Sequence, residues 1–411
     1  MDVGPREVLH RLLGVLKRWW APAFFALIAL HPVIARIRHP TLLGDDVTRV
    51  VELIEQPLGA LLVRPFNEHL SPAFDLVSWS TWQAIGHDLR LAPLGFCIAS
   101  VLPWALLLVL LTTWLKRETG SSTAALVTVA LAAQSPLALE AMWWYSAASF
   151  TYAVLGVQAA LIGATLLASR PRPALILIGV GSALGPTAST IGVLGMPLAV
   201  FRTLIDPKTT WRGKAQGTLA ALGGLGIYLI MRELIGAGLF QAAPRQAAGL
   251  ADPITGLGYA FTVPGHILWP AMAGVPASWM VAHLQASLAR LVGALALAAI
   301  LILSVKPRAK WDRRLVIVGS AMIYLGYALT YCARAGLVRM GQWTEPQLIY
   351  VFGGRYHLLP LLGACAIIAG VLAASPLVRR GDGVPGRPVR IRVEFTCLGV
   401  LALQQPPRLL R

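Results

Sequence analysis

The feature that most constrains this chain is a series of apolar runs as long as a membrane is thick. Residues 92–115 carry no charged side chain, and about 20 apolar residues are enough for a helix to cross a bilayer. Of the 411 residues, 56% are hydrophobic and 13% are charged, against about 25% charged residues in soluble domains. Such a chain has too few polar side chains to cover a soluble globule of its size. We therefore predict a polytopic membrane protein.

The apolar runs predict an all-α fold with about ten transmembrane crossings. The run 174–203 is short for two full spans, but Gly185 and Pro186 lie in its middle and favour a break there. We expect this run to form a hairpin that crosses the membrane twice. The other expected crossings are 19–37, 92–115, 123–140, 147–168, 214–235, 287–305, 315–333 and 357–374.

The net charge is +17. The basic residues behind it can be sorted by membrane side, so this charge does not indicate nucleic-acid binding. Every lysine falls between apolar runs, and in the ten-crossing topology all of them share one side: Lys17, Lys116, Lys208, Lys214, Lys306 and Lys310. Because cytoplasmic loops are enriched in Lys and Arg, we expect that side to be cytoplasmic. The segments expected to face outward are 38–91, 237–286 and 334–356.

The chain is expected to consist of a membrane domain, 1–375, and a tail, 376–411. The tail is rich in Arg and Pro and has one short apolar run. This composition is typical of disordered segments, so we expect a disordered cytoplasmic appendage.

The first outward segment, 38–91, is expected to form a compact cap. It holds seven of the chain's eighteen acidic residues: Asp45, Asp46, Glu52, Glu55, Glu68, Asp75 and Asp88. From Asp46 onward, valines and an isoleucine recur at helical spacing, which predicts an amphipathic helix on the membrane surface that ends at Pro57. A second helix is predicted to start at Ser71–Pro72, with Trp79 and Trp82 at the level of the lipid headgroups.

Three short motifs carry a resemblance to a known superfamily: "GDD" at 44–46, "FNEH" at 66–69 and "GRYH" at 354–357. With amphipathic helices in the first outer loop and spans of uneven length, residues 1–375 resemble the GT-C superfamily of integral-membrane glycosyltransferases. This group includes protein O-mannosyltransferases and aminoarabinose transferases. The resemblance implies a polyprenyl phosphate-sugar donor, a lipid, glycan or protein acceptor, and an acidic pair that contains the catalytic base.

The pair Asp45 and Asp46 also suits this chemistry when the resemblance is set aside. Transfer from a polyprenyl phosphate-sugar needs a base that takes the proton of the acceptor hydroxyl. Adjacent carboxylates beside a phase of low dielectric constant repel each other, which raises the pKa of the pair. The alternative is that one Asp only caps the helix that follows. If the pair is catalytic, we expect Asp46 to be the more sensitive to substitution.

The leaving lipid phosphate needs a permanent positive charge, and Arg355 is the main candidate. A guanidinium can contact two phosphate oxygens at once, and Tyr356 and His357 lie beside it in the sequence. The alternative role is an interfacial Arg-Tyr anchor. Glu68 and His69 are candidates for orienting the substrate, although such a pair is also common in ordinary loops.

We expect no cofactor. A divalent metal is compatible with the chemistry of the carboxylates and imidazole in the first outer segment, but their spacing does not indicate one. The aromatic stretch "MWWYSAASFTY", 142–152, could stack on a sugar, but an aromatic belt at the membrane interface explains it better. The apolar stretch within 237–286 is expected to pack against other helices and to form part of a groove for lipid or acceptor.

Two other classes of function compete with glycosyl transfer. A transporter is expected to carry charged groups in the middle of several helices, and the predicted helices of this chain are nearly free of them there. An O-antigen ligase or polymerase also uses lipid-linked sugars, but its large outer loop lies late in the chain. We therefore expect a transferase of the cell envelope, in the cytoplasmic (inner) membrane, with its active face outward.

Overall fold

The computed structural model describes most of the membrane domain. The described residues are 27–63, 70–239, 253–272, 286–305, 313–339 and 354–374. They are 88% helical and include no β-strand, which confirms the predicted all-α class. The tail 376–411 lies outside the described residues.

The described residues form sixteen helices. In chain order they are α1 (27–38), α2 (Asp45–Glu55), α3 (Leu58–Val63), α4 (Pro72–Ala84), α5 (Ala92–Thr119), α6 (Ser122–Gln134), α7 (Pro136–Trp143), α8 (Ala148–Leu166), α9 (Pro171–Ala188), α10 (Gly195–Leu204), α11 (Trp211–Leu239), α12 (Pro253–Val263), α13 (Trp269–Met272), α14 (Ala286–Val305), α15 (Arg313–Arg339) and α16 (Leu358–Leu372). Short 3₁₀ turns precede α8, α10 and α16, and a π-helical turn joins α12 to α13.

Five helical segments of the described chain are long and apolar enough to cross a membrane: Ala92–Thr119, Tyr145–Leu166, Trp211–Leu234, Arg313–Cys332 and Arg355–Leu372. A sixth crossing results if α6 and α7, which meet at an angle of 64°, are counted as one bent span. The chain is therefore a multi-pass helical membrane protein. Ten full crossings are not seen in the described residues.

The chain reverses just beyond Pro186, as the hairpin predicted for 174–203 requires, but neither arm is among the described helices that are long and apolar enough to cross a membrane. Gly192 packs directly on the backbone of Gly185, and a Cβ on Gly195 would lie 3.7 Å from the carbonyl oxygen of Gly181, so the chain runs back along α9. The return arm α10 has 10 residues and is about 15 Å long, against about 30 Å for a bilayer core. Both ends of the hairpin lie at one end of the bundle.

That end, which we call the lysine end, carries Lys116, Lys208 and Lys214. There the buried Arg202 of α10 donates from Nε and Nη2 to the two carboxylate oxygens of Glu118 on α5, at 2.8 and 2.9 Å. Asp206 lies 3.6 Å from both Arg202 and Arg314 at the start of α15. This buried network joins the ends of α5, α10 and α15.

The opposite end, which we call the cap end, carries α2, α3 and α4. These helices share a small core with the tops of α5 and α8 that includes Val50, Leu53, Phe74, Trp82 and Phe96. The predicted stop at Pro57 and start at Ser71–Pro72 are confirmed, and so is the compact cap. The expectation for Trp82 was wrong: its side chain is 4% exposed because it fills this core, so it does not anchor at the headgroups.

Helix α2 turns its charged face toward the protein. Asp46 and Arg49 are buried, whereas Val47, Val51 and Ile54 are 52%, 44% and 55% exposed. A helix on a soluble surface would have the reverse arrangement. An exposed apolar stripe on a membrane protein is the arrangement expected of a helix that lies against lipid.

The apolar stretch within 237–286 packs against other helices, as predicted. Residues 253–272 form a continuous helical segment in which the π-helical turn Pro264–Leu268 is buried. Gly265 of this turn meets the backbone of Gly293 on α14, and Tyr259 packs on Tyr331 of α15 with ring centroids 5.5 Å apart.

The two ends of the bundle lead to a prediction about topology. Because the hairpin returns to the lysine end, reporter fusions after residues 120, 171 and 209 should all report the cytoplasm, as should fusions at 309 and 380. Fusions at 60, 250 and 345 should report the exterior. Alkaline phosphatase and fluorescent-protein fusions measure this directly. A fusion at 209 that reports the exterior would contradict the hairpin.

Candidate functional site

Several predicted site residues meet at one short segment, Trp143–Ser146, which we call the WWYS turn. It lies at the cap end, where α7 ends and the 3₁₀ turn Tyr145–Ala147 that leads into α8 begins. Each of its four side chains contacts a different part of the chain: Arg36, Arg355, Ser78 and Asp46. The sequence analysis assigned this stretch to an aromatic belt, whereas the fold places it where the two candidate motifs converge.

Asp46 is bound to the WWYS turn by a set of hydrogen bonds. Its Oδ1 accepts from the backbone N–H and the hydroxyl of Ser146, at 2.7 and 2.8 Å. Its Oδ2 accepts from the N–H groups of Leu43, at 3.0 Å, and Tyr145, at 3.3 Å. The carboxylate therefore joins the start of α2 to a turn about 100 residues later in the chain.

Helix capping does not explain the acidic pair. The N-cap of α2 is Gly44, and no side chain caps the helix. Both Asp45 and Asp46 lie in its first turn, where the helix dipole favours negative charge. Burial raises the pKa of Asp46, while the hydrogen bonds from Leu43, Tyr145 and Ser146 act in the opposite sense.

Asp45 has a different environment from its neighbour. Its side chain is half-buried, whereas Asp46 is 1% exposed. Of the two carboxylates, Asp45 is therefore the more accessible to solvent. Glu68 and His69, the other predicted residues of this loop, lie outside the described residues.

Arg36 supports the loop that leads into α2. It is fully buried and donates to the carbonyl oxygen of His39, at 3.0 Å, and to the hydroxyl and carbonyl oxygens of Thr41, at 3.2 and 2.8 Å. Its guanidinium lies 5.6 Å from the ring centroid of Trp143 and interacts with the charge of Asp46. A positive charge is thus held beside Trp143 of the WWYS turn.

A second buried cation holds α2 against α4. Arg49 donates to Glu52, at 3.2 Å, and to Asp75 on α4, and it lies over the ring of Phe74. Two of the acidic residues that the sequence placed in an exposed cluster, Asp75 and Glu52, are therefore buried counter-ions of Arg49. They fix the orientation of the helix that carries Asp45 and Asp46.

Arg355 lies on the other side of the WWYS turn. Its guanidinium is 4.6 Å from the ring centroid of Trp144 and 5.0 Å from that of Tyr356. Its Nη1 donates to Oε1 of Glu140 on α7, at 2.7 Å. The side chain is 22% exposed, so the guanidinium is confined by aromatic rings and remains partly open to solvent.

The two residues after Arg355 point into the protein. Tyr356 is 7% exposed and packs edge-on against Phe150 with ring centroids 5.1 Å apart. His357 is buried, and its Nδ1 shares a hydrogen bond of 2.8 Å with the hydroxyl of Tyr327. Both residues position the turn that carries Arg355, and Arg355 alone of the three is partly open to solvent.

Sequence reasoning missed Arg36, Arg49 and Glu140 as parts of this site. The only signal for Arg36 and Arg49 was their position inside or beside apolar segments, where a charge needs a buried partner. Glu140 stood out only as an acidic residue near a predicted helix end. Within the described residues, no group of three or more His, Cys, Asp or Glu side chains is placed to hold a metal ion.

Comparisons were made with known protein families, with characterised proteins and with solved structures. None of the three finds a match, so the function is argued from the site.

Proposed function

We propose that the protein is a membrane glycosyltransferase that moves a sugar from a polyprenyl phosphate donor to a hydroxyl acceptor at the outer face of the cytoplasmic membrane. One observation carries the proposal. The Asp46 carboxylate, whose neighbour is Asp45, and the partly open guanidinium of Arg355 contact the same four-residue turn at the cap end of the bundle. Transfer from a lipid phosphate requires these two groups, a base for the acceptor and a cation for the leaving phosphate.

Asp45 is the proposed general base. As the acceptor oxygen attacks the anomeric carbon, its proton passes to the Asp45 carboxylate, while the bond between that carbon and the phosphate oxygen breaks. Asp46 is a positioning residue, because both of its oxygens are already occupied by hydrogen bonds. This division of roles differs from the sequence expectation, which favoured Asp46 as the base.

Arg355 is the proposed phosphate ligand. The rings of Trp144 and Tyr356 lie close to the guanidinium, and its Nε and Nη2 make no hydrogen bond within the described part of the chain. Two free N–H groups on one edge match two phosphate oxygens. The leaving group departs as polyprenyl phosphate, and the permanent charge of Arg355 stabilises it.

The exposed stripe of α2 supports a lipid-linked substrate. Val47, Val51 and Ile54 are open on the outer side of the helix that carries the base. If this stripe rests on the membrane, as its apolarity favours, Asp45 lies at the depth of lipid headgroups. A sugar attached to a membrane-bound phosphate is presented at that depth.

The glycans that are missing from a deletion strain test the proposal. We expect mass spectrometry of lipid extracts and envelope fractions from a deletion strain to show one missing glycan, restored by the wild-type gene and not by an Asp45→Asn gene. Unchanged glycolipids, polysaccharides and glycoproteins in the deletion strain would contradict the proposal and favour transport or scaffolding.

Arg355→Lys tests the phosphate contact separately. A lysine keeps the charge but cannot make the two-point contact, so we expect transfer at low donor concentration to fall about tenfold or more, the value of one charge-assisted hydrogen bond. Arg170→Lys, at an exposed position near the lysine end, is the matched control and should retain full activity. Wild-type kinetics in Arg355→Lys would leave Arg355 as an interfacial anchor.

A further inference from the structure

The ion pair between Arg355 and Glu140 is more exposed than two buried ion pairs elsewhere in the described residues. The pairs Arg49–Asp75 and Arg202–Glu118 are closed to water, with side chains no more than 3% exposed. In Arg355–Glu140 the side chains are 22% and 23% exposed. Both partners of Arg355–Glu140 are therefore partly open to a ligand.

The contact between the two side chains is a single hydrogen bond. Nη1 of Arg355 donates to Oε1 of Glu140 at 2.7 Å, although a guanidinium and a carboxylate can form two parallel bonds. Within the described residues, the edge formed by Nε and Nη2 makes no hydrogen bond. A pair that is partly hydrated and joined by one bond is weak, so a stronger anion can replace the carboxylate.

The position of Glu140 makes it the natural competitor of an anionic ligand. It lies on α7, which packs against the 3₁₀ turn Gly354–His357 that carries Arg355. The backbone N–H of Trp144, whose ring lies near the guanidinium, donates to the carbonyl oxygen of Glu140 at 2.9 Å. The carboxylate therefore occupies part of the cationic site, and a bound phosphate meets it as a neighbouring like charge.

We propose that Glu140 is the resident counter-ion of this site: it neutralises Arg355 while no donor is bound, and the phosphate of the donor displaces it. The inference rests on the proposed function, in which Arg355 holds that phosphate. Displacement makes Glu140 a determinant of donor affinity. It limits how tightly the phosphate binds, and it favours release of the polyprenyl phosphate product after transfer.

Glu140→Gln tests the inference, because glutamine keeps the shape and an acceptor oxygen for Arg355 while removing the charge. The probe is farnesyl phosphate, titrated into the purified full-length protein in nanodiscs of phosphatidylcholine and followed by its effect on thermal unfolding. We expect the variant to bind the probe about three- to tenfold more tightly than wild type, as an exposed ion pair and a like charge are removed. Neutral farnesol should bind both proteins equally.

Arg355→Gln separates this inference from the proposed function. It should weaken binding of farnesyl phosphate, and adding Glu140→Gln to it should restore nothing. If Arg355→Gln binds the probe as wild type does, the phosphate site and the proposed function both fail. If Arg355→Gln weakens binding but Glu140→Gln does not strengthen it, the counter-ion role alone is wrong. An equal gain for farnesol in Glu140→Gln would also overturn it.

Competition by inorganic phosphate distinguishes a site for a lipid-linked phosphate from a site for free phosphate. We expect it to compete poorly with farnesyl phosphate, because the lipid chain contributes to binding of a membrane-bound donor. If inorganic phosphate competes with farnesyl phosphate at equal concentration, and binds Glu140→Gln more tightly than wild type by the same factor, the counter-ion role is supported. The proposal of a lipid-linked donor would then be wrong.

Discussion

Asp45→Asn is expected to lower the rate of sugar transfer about 100-fold or more in a protein that remains folded, the usual size of a general-base contribution. Asparagine is isosteric and polar, and Asp45 is half-buried at the start of α2, so the fold should tolerate the change. The measurement is single-turnover transfer at saturating donor by purified protein, with thermal unfolding recorded on the same sample.

Asp46→Asn is the matched comparison, and we expect it to act on stability. An asparagine offers one carbonyl oxygen for Ser146, but its NH₂ group then faces the N–H groups of Leu43 and Tyr145, which lose their acceptor. Each buried N–H left unpaired costs about 1–3 kcal/mol. The melting temperature and membrane abundance should fall for Asp46→Asn and not for Asp45→Asn. Wild-type rates in both variants would refute a catalytic role for the pair.

Arg202→Met is expected to destabilise the protein by about 3–5 kcal/mol, because it leaves Glu118 charged and buried without its partner. Glu118 is 1% exposed at the side chain and receives two hydrogen bonds from Arg202. The readouts are membrane abundance and thermal unfolding in detergent. The site at the cap end is not touched by this change.

The control for Arg202→Met is the double variant with Glu118→Leu. Replacing both members of a buried pair by apolar residues is often neutral, whereas removing one member is not. We therefore expect the double variant to recover much of the lost stability. A double variant as unstable as the sum of the two single changes would show that the pair is not coupled.

Local sequence signals were enough to predict much of the fold. Pro57 and the Ser71–Pro72 pair mark the ends of helices because proline lacks an N–H and fits the first helical turn. Gly185 and Pro186 mark the reversal of the hairpin for similar reasons. The number of full crossings was less predictable, because the length of α10 depends on how it packs in the bundle and the sequence pattern does not record that.

The candidate site was predictable only in part. The motifs pointed to Asp45, Asp46 and Arg355, but the partners that define their roles lie far away in the sequence: Ser146 is 100 residues from Asp46, and Glu140 is 215 residues from Arg355. Periodicity carries no information about such pairings. Composition was also ambiguous for the WWYS turn, since Trp and Tyr at a membrane edge suit an aromatic belt and a ligand site equally.

The charge of a residue was the weakest guide to whether its side chain is buried or exposed. Acidic residues in a loop usually face water, yet Asp75 and Glu52 are buried against Arg49. The apolar face of α2 was predicted correctly as a stripe, but no single-sequence signal indicated that the charged face would turn inward. That orientation requires the partner helix α4, which supplies Asp75.

The glycine contacts of the hairpin affect how tolerance to substitution should be interpreted in this protein. Gly192 meets the backbone of Gly185, and a Cβ on Gly156 would come within 2.6 Å of Gly185. Alanine at these positions forces whole helices apart, since backbone atoms cannot move aside as a flexible side chain can. In a library of random variants such glycines would be as intolerant as the residues proposed to be catalytic. Intolerance therefore marks the tightly packed hairpin as strongly as it marks the proposed site, and only a separate measurement of protein level distinguishes the two.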